Sequence, residues 1–297
     1  MSLAPDLFRA LGALCEPPDR AHPRLAAALG LPGAADAESH TEAFVLQLVP
    51  YASVYLGPEG MLGGAARDRI AGFWRALRLT PPAEPDHLAA LLGLYASLVE
   101  RERDESEPAR SRMWRHARRT LLAEHLITWV PAYASAMVSL GSTYHAGWAK
   151  LLNEALASEA GDLGALDGTA HLRDIPALPS PETDGFVRAL LAPARSGLII
   201  TRDDLARCAR MTGLGLRVGE RAFALRSLID QDPVAAYDWL AGAAATSRRE
   251  YHATTWPVPA AAARHWLSRA RATHAALTTV LTRLRGTAPE VAHATGS

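Results

Sequence analysis

The chain has 297 residues, enough for about two domains with a substantial core, which excludes a peptide or a disulfide-stapled miniprotein. Its 31 Lys+Arg balance 31 Asp+Glu, so no global field draws it to nucleic acid or anionic lipid, and any charge selectivity is local. A hydrophobic content of 49% excludes extensive disorder, and Cys15 and Cys208 alone supply neither a disulfide framework nor a cysteine zinc site.

From the N-terminus, Met1-Ser2-Leu3-Ala4-Pro5-Asp6 lacks a positive segment, so a secretory signal is not expected and a cytoplasmic location is. Asp6 is a candidate N-cap for a helix presenting Leu7, Phe8, Leu11 and Leu14, and a short helix follows at about 20–29. Thr41 to Leu56 reads as a central helix with Phe44, Leu48, Tyr51 and Tyr55 on a broad apolar face, kinked at Pro50 and stopped by Gly57-Pro58. Further helices are predicted at about 65–79, with Ile70, Phe73 and Trp74 inward, and from Asp86 to about 103, with Leu88, Leu91, Leu92, Tyr95 and Leu98 inward. A mixed-charge connection at 100–107 leads to a long helix over about 108–128, whose Arg110, Arg112, Arg115, Arg118 and Arg119 read as a solvated face.

Leu126 to Ala149 lacks charged side chains, but Pro131, Ser135, Ser139 and Gly141 interrupt it. It reads as two buried helices with a turn near Gly141, completing an antiparallel bundle over residues 1–160, rather than as a membrane span. Residues 161–183 are rich in Gly, Pro and short polar residues and form the expected linker. A helical region over 184–286 follows, opened in part by a capping arrangement of Thr201 and Asp204, and residues 287–297 form a frayed tail. The one strand-like patch is Gly197 to Ile200, so the fold class is all-α.

The chemistry-bearing motifs are mostly missing. Lys150 is followed by Leu151, which excludes a P-loop, and no His-Glu-x-x-His, Gly-x-Ser-x-Gly or Cys-x-x-Cys occurs. Asp86-His87 raises a metal-dependent hydrolase as a remote reading, but its order is reversed and no partner ligands follow at fixed spacing, so no metal is expected. Asp86 reads more simply as the cap of its own helix. Residues 201–230 have the outline of a helix-turn-helix, yet six arginines against four acids leave only about +2, a weak field for phosphate. A helical regulatory protein with a DNA-binding second half is the alternative reading, set against a leading one without nucleic acid.

The leading reading comes from three ordered pieces. Glu84-Pro85-Asp86-His87-Leu88-Ala89 resembles the signature of the TorD/DmsD family of redox-enzyme maturation chaperones, Tyr51 to Pro58 (YASVYLGP) resembles its Tyr-rich helix ending in Gly-Pro, and His125 to Pro131 (HLITWVP) resembles its His, Trp and Pro block. The likeness spans roughly residues 40–160. One residue often found between Pro and Asp is missing, and Glu59-Gly-Met-Leu-Gly-Gly-Ala stands where the family often has Pro-Pro-Trp.

The resemblance implies a TorD-like helical domain followed by an additional helical region. It also implies a cytoplasmic, non-enzymatic chaperone that binds an immature molybdopterin oxidoreductase catalytic subunit, often through its twin-arginine leader peptide, and delays export until cofactor insertion. A leader offers an apolar helix-prone segment beside guanidinium groups, so its receptor needs apolar walls and forked carboxylate acceptors. The expected binding residues are Tyr51, Tyr55, Gly57, Pro58, Glu84, Pro85, Asp86, His87, Trp129 and Pro131. No bound cofactor is expected, guanine nucleotide has no motif here, and a homodimer stays open.

Overall fold

A computed structural model describes residues 4–286 apart from 165, 167 and 253–259; the expected tail at 287–297 lies outside the described residues. The first half comprises α1 (Pro5–Ala13), α2 (His22–Ala28), α3 (Ala37–His40), α4 (Ala52–Leu56), α5 (Gly64–Ala76), α6 (Leu88–Asp104), α7 (Pro108–Thr120), α8 (Val130–Ser139) and α9 (Thr143–Leu163). The second comprises α10 (Phe186–Leu190), α11 (Pro193–Ser196), α12 (Arg202–Thr212), α13 (Arg221–Gln231), α14 (Pro233–Glu250) and α15 (Ala260–Gly286). The fold is all-α, and Gly197 to Ile200 forms no strand; Leu198 and Ile200 are buried as connecting backbone.

Helix α1 starts two residues earlier than expected, because Pro5 sets the helical φ at a position needing no N–H; Asp6 lies inside the first turn, not at the cap. Phe8, Leu11 and Leu14 are fully buried and pack on α6, whose Leu88, Leu91, Leu92, Tyr95 and Leu98 all face inward as their spacing predicts. Gly12 permits the close approach: a Cβ there would sit 3.2 Å from the Ala89 Cα.

The expected helix over Thr41 to Leu56 is three pieces. Thr41–Gln47 is π-helical, Leu48 to Tyr51 is an open break, and α4 resumes at Ala52. Pro50 has no N–H to donate and drives the preceding residue toward extended backbone, so the segment breaks instead of bending. The carbonyls released there are satisfied from elsewhere. The Tyr133 hydroxyl donates to the Leu48 carbonyl at 3.2 Å, the Tyr55 hydroxyl to Val49 at 2.9 Å, and the Leu88 N–H to Pro50 at 2.8 Å.

The long helix over 108–128 likewise divides into α7 and a π-helical turn at Leu121–Leu126. Arg118 departs from the solvated face expected of it. It is 4% exposed, with Nη1 3.1 Å from Glu159 Oε2 and Nε 2.9 Å from Glu102 Oε2, while the Tyr95 hydroxyl donates to Glu159 Oε2 at 2.5 Å. Helices α8 and α9 pair antiparallel across Gly141, which adopts φ +83° at the predicted turn. Among the described residues no helix is long and apolar enough to cross a membrane.

In the second half, Thr201 and Asp204 form the anticipated capping box of α12, and Gly213 ends it in the left-handed region. Helices α14 and α15 pack along each other. One apolar cluster runs from Phe8 through Leu281 and joins the two halves. The Trp266 indole N–H of α15 donates to the Thr128 carbonyl at 2.8 Å, and Gly60 sits so near α11 that a Cβ would lie 2.8 Å from the Ala192 Cα.

Candidate functional site

The Glu84-Pro85-Asp86-His87 motif forms a corner where the starts of α4 and α6 meet. Tyr51 and His87 make an isolated antiparallel bridge, with the Ala52 N–H donating to the Asp86 carbonyl at 3.0 Å and Leu88 N–H to Pro50. The Asp86 carboxylate also accepts the Ser53 N–H at 3.2 Å. Asp86 therefore caps α4 and not its own helix, correcting the sequence expectation; the cap of α6 is His87, whose Nδ1 accepts the Ala89 N–H at 3.2 Å. The reason is geometric: the α4 amide groups freed by the Pro50 break face Asp86 across the bridge.

Asp86 is only 1% exposed, whereas Glu84, two residues earlier, is exposed and accepts the Tyr51 hydroxyl at 2.8 Å. The Trp74 indole N–H donates to the Pro85 carbonyl at 3.4 Å and Arg67 to the Ala83 carbonyl at 3.0 Å, which anchors the 83–85 turn. Tyr51 stands edge-on to His87 at 4.8 Å. Burial, then the hydrogen bond to Glu84, pushes the Tyr51 hydroxyl well above its ordinary pKa, so it remains a donor. Burial likewise holds His87 below the ordinary histidine value, against the opposing pull of Glu16, Glu84 and Asp86. A neutral ring leaves the Nδ1 lone pair free for the Ala89 N–H, and Glu16 Oε1 lies 3.3 Å from the same nitrogen. Glu16 is the member of this corner that sequence reasoning missed, since nothing in linear spacing links it to residue 87.

The remaining expected residues lie elsewhere. Tyr55 stacks on Trp129 at 5.1 Å and 10°, with Tyr133 edge-on to both, and these three rings and Pro131 are buried. Gly57 is buried and closes α4, where a Cβ would meet the Ser53 carbonyl oxygen at 2.6 Å; Pro58 is half-buried beside it. Thus Tyr51, Glu84, Pro85, Asp86 and His87 come together, while Tyr55, Trp129 and Pro131 belong to the core that supports them. Exposed Val45, Leu46, Met61 and Leu62 flank the Tyr-rich segment along the chain.

Chemically, the corner offers an accessible carboxylate braced by a phenol, with two further carboxylates close by. That arrangement suits reception of a cation. Among the described residues no three His, Cys, Asp or Glu side chains gather to hold a metal ion. In the helix-turn-helix outline, Arg202 donates to the Gly219 carbonyl, Arg221 to Ile200, and Arg207 pairs with Asp204, so three of its guanidinium groups are engaged within the fold.

A second feature is a cleft of about 990 Å³ between α8, α12 and α14, floored by residues 198–201. None of the corner residues lines it, and nothing in the sequence pattern pointed to it.

Within this all-α architecture, residues 13–135 match the family model described as nitrate reductase delta subunit. The matched span contains every expected binding residue from Tyr51 to Pro131 and ends inside α8, leaving α9 to α15 outside it. No curated protein matches the chain.

Proposed function

We propose that this protein is a non-catalytic maturation chaperone that holds an immature molybdopterin oxidoreductase catalytic subunit in the cytoplasm, engaging its twin-arginine leader while cofactor is inserted and export is delayed. The observation that carries this reading is the family match over residues 13–135, with the three ordered motif pieces inside it. The corner's chemistry supports it. Glu84 presents two acceptor oxygens to a guanidinium fork, Tyr51 steadies that carboxylate, and Asp86 and His87 position the turn by capping α4 and α6. Val45, Leu46, Met61 and Leu62 offer apolar contact to the leader's greasy segment.

The test is a calorimetric titration of the full chain with leader peptides and full-length precursors of molybdopterin oxidoreductases. Saturable binding that requires the leader arginines is expected. Absence of binding across such a panel, with folded protein, overturns the reading.

A further inference from the structure

The cleft between α8, α12 and α14 is built from helix faces. Ala132 and Ala136 of α8, Arg207 and Met211 of α12, and Trp239 and Gly242 of α14 recur at three- or four-residue spacing, so each helix turns one stripe into a shared trough. Its 990 Å³ matches about two turns of a helix some 10 Å across. Met211 is 72% exposed on the rim, an apolar side chain without cover.

The charge is uneven. Asp203, Asp204, Asp238 and Glu250 line the cleft against Arg207 and Arg249, four acids to two bases. Asp204 is taken up by Thr201 and Arg207, and Asp238 by Arg285 at 2.7 Å. Asp203 has its backbone N–H held by Gln47 Oε1 at 3.0 Å, while its carboxylate has no ion pair among the described residues. Small residues on α14 permit close backbone approach, and Gly242 is the clearest: a Cβ there meets nothing within 4 Å.

We propose that this cleft is a docking site for a short amphipathic helix bearing a cationic side chain, which lays its apolar face on Trp239 and Met211 and directs its charge to Asp203. The inference rests on the chaperone reading for the origin of that helix, a segment of the immature client. It assigns the segment to a place outside both the motif corner and the family match.

The experiment uses the full chain and two probes: a fluorescein-labelled 16-residue peptide with leucines at helical spacing and two arginines, and a full-length precursor of a molybdopterin oxidoreductase. Gly242→Leu fills the trough and favours helix over glycine, so its fold is expected to hold, as checked by its melting temperature. The expected result is peptide binding by the unmodified chain, weakened at least tenfold by Gly242→Leu and severalfold by Asp203→Asn, with precursor binding weakened in parallel. Peptide and precursor binding unchanged in both variants overturns the cleft assignment and leaves the chaperone reading standing. Binding of a peptide with glutamates in place of its arginines as tightly as the original overturns the cationic occupant. Failure of the unmodified chain to bind either probe overturns both readings.

Discussion

At the scale of single residues, the corner separates two carboxylates that look equivalent in sequence. Glu84 is exposed and Asp86 is buried against the Ser53 N–H, so their substitutions should part company. Glu84→Gln is expected to weaken leader binding severalfold in a calorimetric titration while leaving the melting temperature unchanged. Asp86→Ala strands a buried amide donor and is expected to lower stability by about 1–3 kcal/mol in urea unfolding, whereas Asp86→Asn keeps an acceptor and loses less. The motif itself was legible from residue types, but which helix Asp86 caps was not, because the bridge from residue 51 to residue 87 is a tertiary event.

Histidines set the pH response. Burial lowers His125 to about 3 and His145, His171 and His265 to about 4, with the neighbouring Arg69 charge adding to the effect at His125 and His171. Below the ordinary value near 6.5 the unfolded chain takes up protons that the folded chain refuses, so stability falls as pH drops from about 6.5 toward 4. Urea midpoints measured across that window should decline, and His125→Gln should make the decline shallower. A flat profile would contradict the burial of these rings.

At the scale of elements, period and breaker residues announced most helices of the first half, and the capping box of α12 and the Gly141 turn sit where their residues put them. Two long predicted helices were misjudged for one reason. Apolar spacing through Thr41–Gln47 and Leu121–Leu126 is compatible with both α and π winding, so spacing alone does not separate the two. Tyr133, distant in sequence, is fully buried with its hydroxyl on the Leu48 carbonyl just past the first of these segments. Tyr133→Phe should cost about 1–3 kcal/mol by leaving that carbonyl unmet, and thermal unfolding reads the loss directly. The family resemblance, not spacing, put Tyr55 and Trp129 among the expected binding residues; in the structure their stacked rings are buried.

At the scale of the whole molecule, composition and length suggested two units with a linker at 161–183, and nothing local in the sequence revealed how much apolar surface bridges them. The continuous cluster from Phe8 to Leu281 and the Trp266 bond to Thr128 tie the second half to the first. A chain ended after residue 183 is expected to unfold at a lower urea midpoint than the full chain and to bind more of an apolar dye. Equal midpoints and equal dye binding would show that the bridge contributes nothing.

The Trp266 bond also has a kinetic meaning. Its two ends are separated by 138 residues, so at roughly 5–20 residues per second of synthesis the Thr128 carbonyl waits roughly 7–28 s for its partner to emerge. During that interval the growing polypeptide shows a greasy, half-finished seam to proteases and to other nascent chains, and an interrupted message leaves it permanently bare.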